Sequence, residues 1–248
     1  MIDVAIDAAR QAGQLAYQYF KKNLKVSYKA DNSPVTIADR ETEKLIRKII
    51  TKNFPDHGII GEELGNKNPK AKYQWVIDPI DGTKRFAIGH KYWSVLIAVL
   101  ENGKPIIGIS FFPATDEFFL AQKGKGAFLN DHRLKVSPVK SLKDAFVCHG
   151  SLTHFAKINK VKDVLKILKV ARSNIGDGNS VGHNFLLKGK IEATFDTGNI
   201  WDFAAVSILA DEAGGKFTDF DGRNSLTSRQ LLATNGKVHD QIIKILNG

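Results

Sequence analysis

A single cysteine, Cys148, occurs in the 248 residues, so no internal disulfide can form. It sits in the apolar stretch AFVCHG (145–150) and reads as a buried strand cysteine rather than a nucleophile. No apolar run approaches the roughly 20 residues that a membrane helix requires. The start, MIDVAIDAARQAGQ, carries Asp3 and Asp7 where a secretory signal would be basic and then apolar. A cytoplasmic location is therefore expected, with no membrane partner. Internal repeats, low-complexity tracts and Pro-, Gly- or Ser-rich linkers are lacking too. What remains is one large domain or two tightly joined halves, long enough for a substantial core.

The composition is that of a globular protein, 43% hydrophobic and 25% charged, but the formal net charge is +10. Such a balance raises the question of an anionic partner: nucleic acid, a membrane surface or a phosphorylated substrate. The lysines are scattered, however. The densest group, Lys157, Lys160, Lys162, Lys166 and Lys169, alternates with Ile158, Val161, Leu165 and Leu168, as on the wet face of an amphipathic helix. Charge alone does not point to nucleic acid.

Periodicity predicts a helix over 3–22, with Ala5, Ala9, Ala12, Ala16 and Phe20 on one face, and a second over 37–53, stopped by Pro55. The second opens with Asp39, Glu41 and Glu43, which suits the positive end of a helix dipole. The period then changes. Strands are expected at 75–78, 93–100, 106–112 and 117–121, joined by turns, as an antiparallel meander. Beyond about residue 140 strands (146–149, 191–195, 231–234) alternate with helices (155–169, 182–187, 203–213 and a C-terminal one). Mixed elements of this kind imply an α/β (α+β) protein of layered sheets and helices, with halves 1–140 and 141–248.

The densest chemical signal is Trp75-Val76-Ile77-Asp78-Pro79-Ile80-Asp81-Gly82-Thr83. An apolar strand runs into two carboxylates three residues apart. Pro79 stiffens the exit, and Gly82 permits a sharp turn that brings backbone N–H groups near a ligand. Close carboxylates repel one another unless a cation sits between them. Oxygen donors without nearby cysteine favour magnesium, manganese or calcium over zinc. Three further segments end in acids: Gly58 to Glu63, Asn199 to Asp202, and Ser33 to Asp39. Each alone reads equally well as structure: an exposed acidic loop at Glu62-Glu63, a helix N-cap at Asp202, and a dipole partner at Asp39.

In combination the four segments resemble the inositol monophosphatase superfamily. The matching stretches are Ser-Pro-Val-Thr-x-Ala-Asp-Arg (33–40), Ile-Gly-Glu-Glu (60–63), Trp-Val-Ile-Asp-Pro-Ile-Asp-Gly-Thr (75–83) and Trp-Asp through Asp-Glu-Ala-Gly-Gly (201–215). They follow in the family's order and spacing across nearly the whole chain. Val35 to Arg40, Phe54 to Ile59, Asp81 to Phe86, and Gly176-Asp177 are similar to the histidinol-phosphatase branch.

The resemblance implies an α-β-α-β-α sandwich of the inositol monophosphatase and fructose-1,6-bisphosphatase type, and a homodimer. It implies a Mg2+-dependent, lithium-sensitive phosphomonoesterase with two or three ions, for which Mn2+ could substitute. Glu62, Asp78, Asp81, Asp202 and the Ile80 carbonyl would hold metal, with Asp78 bridging two ions and Glu62 also among the catalytic groups. Gly82 and Thr83 would hold phosphate through their N–H groups, while Thr83 with Asp39 would orient the attacking water. Lys29 matches a position near phosphate, and equally reads as a solvated surface lysine. Asp196, Asp177 and Arg172 would select the substrate, although turn aspartates and an exposed arginine are equally plain readings. His149, His154 and His183 are isolated in the sequence and read as structural.

The expected substrate is a small phosphate monoester, inositol monophosphate or histidinol phosphate. 3′-Phosphoadenosine 5′-phosphate and fructose 1,6-bisphosphate are the alternatives within the superfamily. An alternative of another class is an RNA- or transcription-complex-binding protein on the same fold. The +10 charge motivates it, but no RNA-binding motif is visible.

Overall fold

A computed structural model describes residues 1–22, 27–28, 34–178 and 180–248. Lys29 and Ser33 lie outside the described residues. In chain order the first elements are α1 (Ile2–Phe20), β1 (Ser27–Tyr28), β2 (Pro34–Val35), α2 (Ile37–Asn53), β3 (Gly58–Gly61), β4 (Gly65–Lys67), β5 (Tyr73–Asp81) and α3 (Thr83–Ala87). Next come β6 (Ser94–Glu101), β7 (Lys104–Phe112), β8 (Glu117–Gln122), β9 (Gly126–Leu129) and β10 (His132–Arg133). The remainder is β11 (Phe146–His149), α4 (Leu152–Lys157), α5 (Val161–Val170), β12 (Ser173–Ile175), α6 (Ser180–Leu187), β13 (Ala193–Thr197), α7 (Ile200–Glu212), β14 (Lys216–Thr218), β15 (Gln230–Thr234) and α8 (His239–Leu246).

Two large sheets carry the architecture. The first has eight strands among the described residues, in the order β10-β9-β8-β7-β6-β5-β3-β4. It is an antiparallel meander from β5 to β10, but β3 joins β5 in parallel. The second has five, in the order β12-β11-β13-β15-β14, with β11 parallel to both neighbours. The sheet changes between Arg133 and Phe146.

Side-chain alternation sorts the layers. On β5 and β6, Trp75, Ile77, Val95, Ile97 and Val99 face Ala5, Ala9, Ala12, Ile46 and Ile50 of α1 and α2. From the opposite face Val76, Leu96, Ala98 and Leu100 meet Leu186 of α6 and Phe203, Ala205 and Val206 of α7, together with Leu231 and Ala233 of the second sheet. The outer face of that sheet is covered by Phe155, Val164, Ile167, Ile242 and Leu246 of α4, α5 and α8. The result is five layers, α-β-α-β-α. The middle layer belongs to the second half of the chain yet packs on the first sheet. Close approach there requires Gly108, since a Cβ would lie 2.4 Å from Ile208 Cγ2.

Several sequence expectations need correction. The single helix over 155–169 is two helices, α4 and α5, because Asn159 takes a left-handed φ of 57° and ends the first. The helix expected over 203–213 begins earlier, at Ile200, so Asp202 is its third residue; the N-cap is Asn199. The strand at 191–195 runs instead from Ala193 to Thr197.

Candidate metal and phosphate site

The site grows from the parallel pairing of β3 with β5. Gly61 pairs with Ile77, so the next residues, Glu62 and Asp78, emerge side by side. The Glu62 N–H donates to the Ile77 carbonyl at 3.3 Å. Beyond Asp78 the ladder slips: Asp78 pairs with Leu96, whereas Asp81 pairs with Ser94. Three steps on β5 match two on β6, so β5 carries one extra residue, a bulge. In a regular strand positions three apart face opposite ways; the extra residue resets the alternation and turns Asp81 to the side of Asp78. The Ile80 N–H donates to Asp78 Oδ1 at 3.0 Å and stiffens this turn. From the other half of the chain, α7 delivers Asp202 by its first turn, where the Asn199 N–H donates to Asp202 Oδ2 at 2.5 Å.

Asp78, Asp81 and Asp202 each offer a carboxylate oxygen, and these oxygens all lie within 4.8 Å of one another. Asp78 and Asp81 are buried. Burial, then the charges of Glu62, Asp81, Asp202 and Asp39, push the Asp78 carboxyl well above the usual carboxylate range. Burial and the neighbouring Asp81 do the same to Asp202, against the opposing Asn199 N–H bond. An acidic triad of this kind can bind a metal ion, because a divalent cation relieves the repulsion that otherwise drives protons onto the acids. The donors are all oxygens, which suits a hard cation. Glu62 stands beside the triad, half-buried rather than in an exposed loop.

A tight turn follows directly. Gly82 takes φ 89°, a left-handed conformation open to glycine, and is the N-cap of α3. Thr83 begins that helix, so the N–H groups of Gly82 and Thr83 fall at its positive end. The Thr83 hydroxyl has two acceptors in reach, Asp39 Oδ1 at 3.1 Å and the Ile80 carbonyl at 3.0 Å. Asp39 is fully buried at the third position of α2 and closes a capping box, since Thr36 donates to its Oδ2 from N at 2.8 Å and from Oγ1 at 2.7 Å. Burial raises the Asp39 pKa although both threonines oppose the shift. Asp39 and Asp202 thus occupy equivalent positions of two capped helices.

The residues expected to select substrate divide. Asp196 lies in β13, not in a turn, and is buried; its Oδ1 accepts the Thr197 N–H at 2.7 Å. Asp177 follows the end of β12 and forms an ion pair with Arg85. Arg172 does not join them. It precedes β12, its N–H reaches the Ala145 carbonyl at the opposite end of the sheet, and its guanidinium pairs with exposed Asp144 at 2.6 Å. The rim assignment of Arg172 is therefore corrected: strand direction carries it away from Asp177 and Asp196. Cys148 is buried in β11 and its Sγ donates to the Asp177 carbonyl at 2.9 Å. Burial pushes the thiol up to about 11, so it stays protonated and is no nucleophile.

Three residues were not identified from the sequence. Glu43, fully buried in α2, accepts the Glu63 N–H at 2.7 Å and the Leu64 N–H at 3.2 Å, while Arg47 Nε holds it at 2.7 Å. It fixes the turn that presents Glu62, and it forbids any side chain at Gly61, where a Cβ would lie 2.1 Å from Glu43 Oε1. Arg85 is the second. The third is His183, isolated in the sequence; it is buried beside Asp81 and Arg85, and burial lowers its pKa to about 4, leaving a neutral ring. A charged residue on the buried face of α2 is the one signal for Glu43 in the sequence; Arg85 lies within the Asp81 to Phe86 motif, but nothing there points to its distant partner Asp177.

A family model described as the inositol monophosphatase family matches residues 1–248. The histidinol-phosphatase of Mycobacterium tuberculosis is 33% identical over 251 residues, covering 98% of this chain and 96% of the relative. A protein named Nus factor SuhB from Vibrio cholerae is 35% identical over 231 residues, covering 90% of this chain and 86% of the relative. The solved structure of an IMPase from Thermotoga maritima superposes with a TM-score of 0.88 at 32% identity, covering 99% of this chain and 96% of that one.

Proposed function

The chain belongs to the inositol monophosphatase family, and from that premise we propose that it is a Mg2+-dependent phosphomonoesterase acting on a small polyol or amino-alcohol monophosphate. The convergence of Asp78, Asp81 and Asp202 within 4.8 Å, beside the Gly82–Thr83 turn, carries this reading. The metal donors would be these three acids, Glu62 and the Ile80 carbonyl. When bound, two or three magnesium ions would lower the pKa of an attacking water and neutralise charge on the leaving oxygen.

The protein's own groups do the rest. Gly82 and Thr83 donate backbone N–H groups to the phosphoryl oxygens. A phosphate monoester carries nearly two negative charges, which the acids alone would repel, so phosphate and cation binding are coupled. Thr83, held by Asp39 through the 3.1 Å bond, directs an oxygen lone pair of its hydroxyl toward the incoming water and can accept its proton as its own proton passes to Asp39. The raised pKa of Asp39 suits it to receive that proton. Asp196 accepts hydroxyl hydrogen bonds from the alcohol portion of the substrate. Lithium inhibition, homodimerisation and a cytoplasmic location belong to the same reading, as does activity with Mn2+.

The test is phosphate release from inositol monophosphate and histidinol phosphate by the chelator-treated protein, with and without added magnesium. Magnesium-dependent release is expected; release that persists under chelation contradicts the metal assignment. Similarity to a protein named Nus factor SuhB, with the +10 charge, supports a second reading in which the basic surface binds RNA or a transcription complex. Binding to RNA that vanishes at physiological salt would reduce it to nonspecific electrostatics.

A further inference from the structure

The substrate side of the site contains an arginine with an unusual pair of duties. Arg85, on α3, donates from Nη2 to Asp177 Oδ1 and, at 2.8 Å, to the Gly178 carbonyl. Its Nη1 stands 3.3 Å from where a Cβ on Gly82 would be, so the guanidinium borders the turn assigned to phosphate. The segment it holds presses on the buried acid Asp196. A Cβ on Gly178 would lie 2.1 Å from Asp196 Oδ2, and one on Gly150 would lie 1.8 Å from Asp196 Oδ1. The Cys148 thiol ties the same segment from beneath through the Asp177 carbonyl at 2.9 Å. Arg85 thus straps residues 176–178 between the phosphate turn and Asp196.

The electrostatic consequence concerns substrate choice. The Asp177 carboxylate lies on this side, its side chain 35% exposed. Unopposed, it would attract an ammonium or imidazolium group on the alcohol portion of a substrate. Arg85 already occupies Asp177, and a guanidinium does not deprotonate in proteins, so the neutralisation is permanent. Its side chain is only 16% exposed, which makes the pair costly to open. A cationic substrate would therefore meet a balanced pair rather than an open carboxylate, whereas an uncharged polyol forgoes no ion pair there.

We propose that Arg85 is a specificity-determining residue: by occupying Asp177 it sets the site to prefer an uncharged polyol monophosphate over a cationic amino-alcohol monophosphate. This rests on the phosphatase reading and deepens it by naming the substrate class.

The experiment follows magnesium-dependent hydrolysis of p-nitrophenyl phosphate by the full chain, with inositol monophosphate and histidinol phosphate as competitors. Inositol monophosphate is expected to compete at the lower concentration. Arg85→Gln should shift the ratio of the two inhibition constants toward histidinol phosphate by about tenfold, as expected when a like-charge contact is removed. Asp177→Asn alone leaves the guanidinium unopposed and should shift the ratio further toward inositol monophosphate, and the double variant should return it to within about twofold of the parent. A ratio unmoved by Arg85→Gln, a double variant that selectively loses histidinol phosphate competition, or competition by neither phosphate overturns the proposal while the phosphatase reading stands. If Arg85→Gln does not fold, the ratio in the double variant decides. Absence of magnesium-dependent turnover of p-nitrophenyl phosphate removes the phosphatase reading itself, and this one with it.

Discussion

Two buried polar clusters, one between the sheets and one in the second half, solve opposite problems. In the second half, His239 sits between Thr218 and Thr234, with Nε2 3.1 Å from one hydroxyl and Nδ1 3.0 Å from the other. Thr218 spends its proton on the Asp219 carbonyl at 2.7 Å, so it accepts from Nε2–H; Thr234 accepts the Gly236 N–H at 3.1 Å and donates to Nδ1. Every atom is matched, the imidazole is neutral, and the cluster completes itself. The Asp78–Asp81–Asp202 cluster instead gathers like charges, with carboxylate oxygens within 4.8 Å of one another. A cluster matched donor to acceptor settles its protons among its own groups, whereas crowded carboxylates raise one another's pKa.

The largest expected effect separates the two kinds of cluster. Asp81→Asn should lower kcat by at least about a thousandfold, roughly 4 kcal/mol of barrier. Metal-free thermal melting should be unchanged or raised, because a repulsive neighbour of Asp78 is gone. A second variant tests the support of the site. Glu43→Gln should cost about 2–3 kcal/mol in denaturant unfolding, since it disrupts a buried charge that holds two N–H groups and Arg47. Magnesium affinity should fall with it, as the Glu62 turn loosens.

The matched cluster gives a pH signature. Burial lowers the His239 pKa to about 4, against about 6.5 when unfolded. The unfolded chain binds more protons between these values, so the contribution is fully present above pH 6.5 and is lost as pH falls toward 4. In unfolding titrations across that window the parent should lose up to about 3 kcal/mol more than His239→Asn, which lacks the buried imidazole. Equal slopes would show that the ring does not titrate as described. The smallest effect belongs to substrate choice. Asp196→Asn should lower kcat/KM by about tenfold to thirtyfold, chiefly through KM, with kcat nearly kept.

What the sequence could reveal follows the same division. α1, α2 and β5 were legible because their periodicity is local and each buries one defined face. The acids at Glu62, Asp78, Asp81 and Asp202 were legible because each ends an apolar run, and their order matched a family. The bulge at Pro79–Ile80, which turns two of them to one side, depends on pairing with β6 and leaves no sequence mark. Short edge strands such as β10, β12 and β14 are two or three residues long and carry too few side chains to show a period. The break at Asn159 was hidden because Val161, Leu165 and Leu168 continue the apolar stripe beyond it. Glu43 and Arg85 act on turns 20 and 92 residues away, a distance that no local pattern encodes. Arg172 was misplaced for a related reason: proximity to Asp177 in sequence says nothing about which end of β12 each residue occupies.

Carboxylates of Asp78, Asp81 and Asp202 crowd within 4.8 Å of one another, and magnesium titration by calorimetry tests most directly whether a cation binds them. In buffers of different ionisation heat, the metal-free protein should bind magnesium saturably and release protons as it does so, because burial and mutual repulsion raise the Asp78 and Asp202 pKa values and a bound cation draws them back down. Asp78→Asn should abolish both the binding and the release. No heat of binding at millimolar magnesium, or binding that survives intact in Asp78→Asn, would contradict the metal assignment.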